Sequence, residues 1–525
     1  MGIYRLLAII LLFTGLYGWL FLNLYTLQLE KSLYYSAKAA SQNLIGAEKN
    51  RGNIYFTDKN NNEIQAAINR VFPTIYSVPE EIEDLENSAK NLSPIVGISE
   101  AALVKMFSKP GDLFELLIEK ATPEQVEAVK GLQLKGIYID NKTLRFYPFK
   151  NLASQALGFV GINKNTDEPS GLYGLESLYN SWLSEKNLKL TIDRNIQIRS
   201  EEILEELIEK FKATAGTIIV EDPKTGKILA ITNKPDFDPN FYSNSKVGQF
   251  LNPAAQGIYE PGSVFKVITM AAGIDSGKIT PNTSFNDTGS VKIADRIIKN
   301  WDLKGHGLVT MTEVIEKSIN TGAVYAEKLM GHDIFYNYLV KFGFERKTGV
   351  DFPGEVAGDL RNLVNSKNEA VNFATASFGQ GVAVTPIQLI NAVAAIANGG
   401  ILMRPYINAD LKPEVIGRVI KEETSRQVSE MMVSAVDKAV VATVSHYKLA
   451  GKTGTAQIPD FKNGGYSGDF MHTYVGFGPV SDPKFIILIK LERPQAQLAG
   501  ATVVPAFHEL AQFIINYYQI QPDRL

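Results

Sequence analysis

Apolar positions fall along the chain in three successive patterns. From Leu6 to Leu29, "LLAIILLFTGLYGWLFLNLYTLQL" carries no charge and is long enough to cross a bilayer as one helix. Next comes a mixed stretch with short strand-like runs and two Pro-led acidic helix starts, "PEEIEDLENSAKNL" and "TPEQVEAVKGL". Past about Lys186, "LKLTIDRNIQIRSEEILEELIEKF" predicts a strand followed by an amphipathic helix. "GTIIVEDPKTGKILAITN" then reads as a hairpin, and "HTYVGFGPVSDPKFIILIKLE" reads as a second hairpin far downstream. Between the two lie helical segments: "VFKVITMAAGI", "MTEVIEKSI", "GAVYAEKLM" and "TPIQLINAVAAIANGG"; "AFHELAQFIINYY" closes the chain as another. Strands at both ends with helices between them predict one antiparallel sheet assembled from distant segments, an α/β (α+β) domain. The expected organisation is a terminus at 1–5, a membrane span at 6–29, a mixed domain at 30–186 and a larger domain at 187–525.

Composition narrows the chemistry. A chain of 525 residues that is 45% hydrophobic can bury more than one core. A net charge of -3 gives no basic footprint for nucleic acid. Zero cysteines exclude disulfides and thiolate chemistry, and the five histidines show no metal-ligand spacing, so neither metal nor other cofactor is expected. Arg5 before the apolar run favours an N-terminus inside and the bulk of the chain outside. A cleavable signal peptide is the rival reading; its candidate cleavage segment, "SAKAA", lies well past the apolar run.

Ser263 follows Pro-Gly at the head of an apolar helix, with Lys266 on the same helical face. A lysine amine beside a serine hydroxyl can activate it without histidine, provided the amine is neutral at working pH. Ser-x-x-Lys is a common pattern: it recurs at Ser243, Ser445 and Ser481, and setting singles out Ser263.

With that setting, "YEPGSVFK" resembles the nucleophile motif of the penicillin-binding protein transpeptidases, whose signature adds Ser-x-Asn and Lys-Thr-Gly. Ser318-Ile319-Asn320 and Lys452-Thr453-Gly454 follow in the family's order. Ser-x-Asn also occurs at Ser41, Ser284 and Ser366, and Lys-Thr-Gly at Lys224 and Lys347, neither of which offers a strand edge. "FYPFKNLASQALGFVG", "GLYGLE", "SFGQGVAVTPIQLINAVAAIANGG" and "HTYVGFGPV" extend the resemblance from about Arg145 to the end. Arg51-Gly52 is similar to the start of the family's membrane-proximal pedestal, while "NIYFTDKNNNEI" matches only loosely.

The resemblance implies a fold like that of serine β-lactamases and acyl transfer on peptidoglycan stem peptides ending in D-Ala-D-Ala. It implies Ser263 as nucleophile, Lys266 as base, and Ser318 with Lys452 as a proton route. Asn320 would hold Lys266 and the substrate amide, Lys452, Thr453 and Thr455 would bind the terminal carboxylate, and Gly454 would let the peptide dock. The N–H groups of Ser263 and Thr455 would form the oxyanion hole. It implies β-lactams as inhibitors and, with no glycosyltransferase-like region, the monofunctional class B group. A bacterial cell-membrane location with the catalytic domain outside follows, as does a polytopic glycosyltransferase of the shape, elongation, division and sporulation (SEDS) group as partner. A D,D-carboxypeptidase, and a membrane-anchored scaffold or β-lactam sensor, are the alternatives; a β-lactamase would be much shorter.

Overall fold

The computed structural model describes residues 2–26, 28, 51–163, 165–166, 168–364, 368–460 and 464–524. The expected domain's first residues, 30–50, lie outside these, as do Ser41, Asn43 and Ser366. Helix α1 (Gly2–Tyr25) is exposed along its apolar length and, by length and composition, can cross a membrane. The described chain resumes in antiparallel strands β1 (Ile54–Thr57) and β2 (Ile64–Ser77), with Ile54 opposite Ala67.

Two compact units are interleaved in sequence. One comprises Met1–Arg51, Asn69–Phe146 and Gly161–Ser170; the other comprises Gly52–Ile68, Tyr147–Val160 and Gly171–Leu525. In the first, helices α2 (Leu85–Val96), α3 (Glu100–Phe107) and α4 (Pro123–Leu132) bury Leu92, Leu103, Phe107 and Val126 with Ile75 and Leu117. The Pro-led start expected at Pro79 differs from what forms: Pro79–Glu81 is a short 3-10 turn. The helix proper begins after Asp84, whose side chain accepts the Asn87 N–H and satisfies one of the free amides of the first turn. At Thr122 the expected start holds, with a reciprocal cap between Thr122 and Gln125.

In the second unit, β3 (Leu188–Asp193) pairs in parallel with β1, Ile54 beside Leu188, which draws residues 52–68 into this unit. The expected change of domain near Lys186 therefore falls inside it. Helix α5 (Arg194–Phe211) follows, capped by the Asp193 carboxylate. Strands β4 (Ala215–Glu221) and β5 (Ile228–Lys234) form the first hairpin. Three later strands, β6 (Ala450–Pro459), β7 (Tyr466–Gly478) and β8 (Phe485–Glu492), complete an antiparallel sheet in the order β6-β7-β8-β4-β5.

The nearly continuous apolar lettering of β4 and β8 has a direct cause. Ile218, Val220, Ile487, Ile489 and Leu491 pack with α5 and the last helix, Val503–Tyr518. Their neighbours Ile219, Ile486 and Leu488 pack on the other face with helix Pro386–Ala397, so both faces of the sheet are buried. At the outer edge, β6 pairs with β7 alone among the described residues.

Candidate active site

Ser263 lies in a 3-10 turn, Gly262–Phe265, that runs into helix α6 (Lys266–Asp275), rather than in the first turn of the helix itself. Gly262 has φ 58, a left-handed conformation open to glycine, and an added Cβ would stand 3.0 Å from Ala456 Cβ on β6. Gly454 is as constrained by approach: a Cβ there would meet Pro261 O at 2.7 Å and Val264 Cγ2 at 3.0 Å. Glycines on both sides thus let the nucleophile turn and the edge strand close on each other.

Ser318 lies between helices α7 (Met311–Glu316) and α8 (Asn320–Met330), with φ 57, a conformation strained for an L-residue. Its carbonyl accepts from Lys266 Nζ at 2.6 Å, and Asn320 Oδ1 accepts from the same nitrogen at 2.8 Å. Ser263 Oγ stands 3.0 Å from Lys266 Nζ and Ser318 Oγ 3.2 Å from it. Lys452 Nζ donates to Ser318 Oγ at 2.9 Å, to Thr453 O at 3.0 Å and to Thr453 Oγ1 at 3.3 Å. All five expected catalytic side chains meet at one place, as does Thr453. The Thr455 hydroxyl accepts from the Ala499 N–H at 3.3 Å, which leaves its own proton free to donate.

Neither lysine side chain has a carboxylate within salt-bridge reach among the described residues, and both are almost wholly buried, Lys266 at 0% and Lys452 at 3% exposure. Burial, and after it the charge of Lys452, hold Lys266 well below the ordinary lysine range. Burial pushes Lys452 down to about 7. A neutral Lys266 amine has two protons and one lone pair. Ser318 O and Asn320 Oδ1 accept the two protons, which leaves the lone pair for the Ser263 hydroxyl.

Several supporting residues carried no recognisable pattern in sequence. Asn320 Nδ2 donates to the Lys299 carbonyl at 2.9 Å, which fixes the amide with Oδ1 toward Lys266. Buried Asp287 accepts from the Thr321 hydroxyl at 2.6 Å, from Asn300 Nδ2 at 2.8 Å, and from the Gly289 and His306 N–H groups at 3.0 Å. Asn300 Oδ1 accepts the Thr321 N–H at 3.1 Å. This network holds the first turn of α8, and with it Asn320. The decoy Lys224-Thr225-Gly226 sits in the β4–β5 turn, and Lys347 lies outside any helix or strand. Among the described residues no group of His, Asp and Glu gathers to hold a metal ion.

Residues 216–512 match the model of the penicillin binding protein transpeptidase domain, and residues 47–220 that of the penicillin-binding protein dimerisation domain. The chain is 31% identical over 513 residues to Stage V sporulation protein D of Bacillus subtilis, across 88% of this chain and 78% of that protein. It is 28% identical over 457 residues to peptidoglycan D,D-transpeptidase FtsI of Escherichia coli, across 80% and 75%. Its fold is similar to the crystal structure of Penicillin Binding Protein 2X from Streptococcus thermophilus, with a TM-score of 0.70 at 24% identity, across 90% of this chain and 80% of that one.

Proposed function

The chain belongs to the penicillin-binding proteins, in the class B group that joins a dimerisation domain to a transpeptidase domain, and from that premise we propose that it is a peptidoglycan D,D-transpeptidase with Ser263 as its nucleophile. The observation that carries this is the placement of Lys266: its two amine protons are taken by carbonyl oxygens, so that its remaining valence faces the Ser263 hydroxyl.

Ser263 Oγ attacks the carbonyl carbon of the penultimate D-Ala while its proton passes to Lys266. The N–H groups of Ser263 and Thr455 stabilise the oxyanion. The peptide C–N bond breaks as the leaving D-Ala amine takes a proton through Ser318, which touches both lysines. An amine of a neighbouring stem then attacks the ester, the acyl C–O bond breaks, and Ser263 recovers its proton. Lys452, with the hydroxyls of Thr453 and Thr455, receives the terminal carboxylate, whose charge favours a protonated Lys452 once substrate is bound. Gly454 lets the docking strand lie close against the nucleophile turn, so that an extended peptide added along that strand meets Ser263. β-Lactams acylate the same serine.

Helix α1 serves as a single membrane pass, with the catalytic unit outside the cytoplasm of a bacterial cell. Its apolar, fully exposed surface supports this reading. Glycan strands are supplied by a polytopic SEDS-type glycosyltransferase partner.

Labelling with a fluorescent penicillin tests the assignment. The native chain is expected to give one adduct, mapped to Ser263, and Ser263→Ala and Lys266→Ala none. An adduct on another serine overturns it. Transfer of the acyl group to an added amine, measured against release by water, distinguishes cross-linking from carboxypeptidase action, and a folded native chain without any adduct favours a scaffold.

A further inference from the structure

Glu260 stands three residues before the nucleophile, and its two carboxylate oxygens are divided between two segments. One accepts the Gly381 N–H at 3.0 Å; the other accepts the Tyr466 hydroxyl at 3.0 Å. The segment around Gly381 is already tied to the nucleophile turn through the backbone. Tyr259 and Val384 exchange both N–H bonds, at 3.0 and 2.9 Å, and the Gly262 N–H donates to Gly379 O at 3.0 Å. The Gly381 bond is therefore not needed to hold that segment. What it does is fix the carboxylate, so that the second oxygen faces Tyr466.

Tyr466 opens β7 and lies opposite Pro459, the last residue of β6. Pro459 is four residues beyond Thr455, about 13 Å along an extended strand. The outer end of the docking strand is thus tied to the nucleophile turn through one side chain. Burial raises the Glu260 carboxyl above the usual carboxylate range, in keeping with a group enclosed by these three segments.

We propose that Glu260 is a positioning residue that latches the outer end of β6 and β7 to the nucleophile turn, and that this latch favours extended peptides over compact β-lactams as acyl donors. The inference rests on the transpeptidase reading above. A β-lactam reaches the hydroxyl, the lysines and the carboxylate site. An extended donor also lies along the strand toward Pro459, where contacts remote from the reacting bond are converted into rate.

Three variants of the full chain test it: Glu260→Ala, Glu260→Gln and Tyr466→Phe, with the Glu260→Ala/Tyr466→Phe double variant. Each is assayed with a pentapeptide donor ending in D-Ala-D-Ala, with a fluorescent penicillin, and by thermal unfolding. In Glu260→Ala, kcat/KM for the peptide is expected to fall about ten-fold or more, while the penicillin acylation constant changes less than about three-fold. Glu260→Gln keeps one acceptor oxygen for the Gly381 N–H and offers its amide NH2 to the Tyr466 hydroxyl, which turns to accept, and so restores peptide turnover. Tyr466→Phe lowers it, and adds nothing in the Glu260→Ala background. The latch is overturned if both reactions fall by the same factor, if neither falls, if glutamine fails to rescue, or if the two losses add. A native chain that forms no adduct at Ser263 refutes the transpeptidase reading itself, an outcome separate from these.

Discussion

The Lys452 ammonium and the Ser318 hydroxyl, 134 residues apart in sequence, stand 2.9 Å apart. Because Ser318 Oγ is also 3.2 Å from Lys266 Nζ, one hydroxyl bridges the two buried amines. Removing it in Ser318→Ala severs the proton route while the Ser318 carbonyl still holds Lys266. Acylation by penicillin is expected to slow by about 10²-fold, the low end of what a positioned proton carrier contributes. Stopped-flow acylation measures this, and a rate within three-fold of native would remove Ser318 from the route.

The two lysines set a pH profile. Burial lowers both amines, Lys452 to about 7, and the charge of Lys452 lowers Lys266 in addition. On raising the pH, the pair's first proton is lost from Lys266, and acylation rises as the base becomes free. Through about pH 7 Lys452 loses its charge, and with it the attraction for the donor's carboxylate, so the second-order acylation constant falls again. That constant reports the free enzyme, so a bell is expected. In Lys452→Arg the cation persists and the descending limb near pH 7 should vanish, whatever the variant's absolute rate.

Gly454 tests the close approach of strand and nucleophile turn. Gly454→Ala places a methyl group 2.7 Å from the Pro261 carbonyl oxygen, a backbone atom that cannot swing away. A loss of about 1–3 kcal/mol in stability is expected from the forced shift, together with slower acylation. Thermal unfolding and penicillin labelling read the two effects. Unchanged values for both would mean that β6 does not lie so close to Pro261.

Much of this was legible as letters. The hairpins at 215–234 and 466–492, the helix that follows Ser263 and the three motifs each have local signatures of period, turn residues and spacing. What was not legible depends on distant partners. Residues 52–68 join the catalytic unit through parallel pairing of β1 with β3, and no local period encodes such a register. Asp287, Asn300 and Lys299 act on α8 through side-chain and carbonyl bonds that no spacing announces. Glu260 was in plain view within "YEPGS", yet its work is defined by Tyr466, 206 residues away. Ser318 is a related case: the motif names the serine but not the left-handed backbone that turns its carbonyl onto Lys266.

Glu221 offers a prediction about stability alone. It ends β4, is fully buried, and neither carboxylate oxygen has a hydrogen-bond partner among the described residues. Burial, with a smaller contribution from the charge of Asp222, raises its carboxyl well above the ordinary range. In the unfolded chain it titrates near the usual glutamate value of about 4.3. Between that value and the raised one the folded state binds the extra proton, so stability is fully present below about pH 4.3 and declines as pH rises toward the folded value. Glu221→Gln keeps the shape and removes the titration. Its melting temperature relative to native is therefore expected to rise from pH 5 to pH 8. A difference that stays flat across that interval would show that Glu221 is solvated or paired in solution.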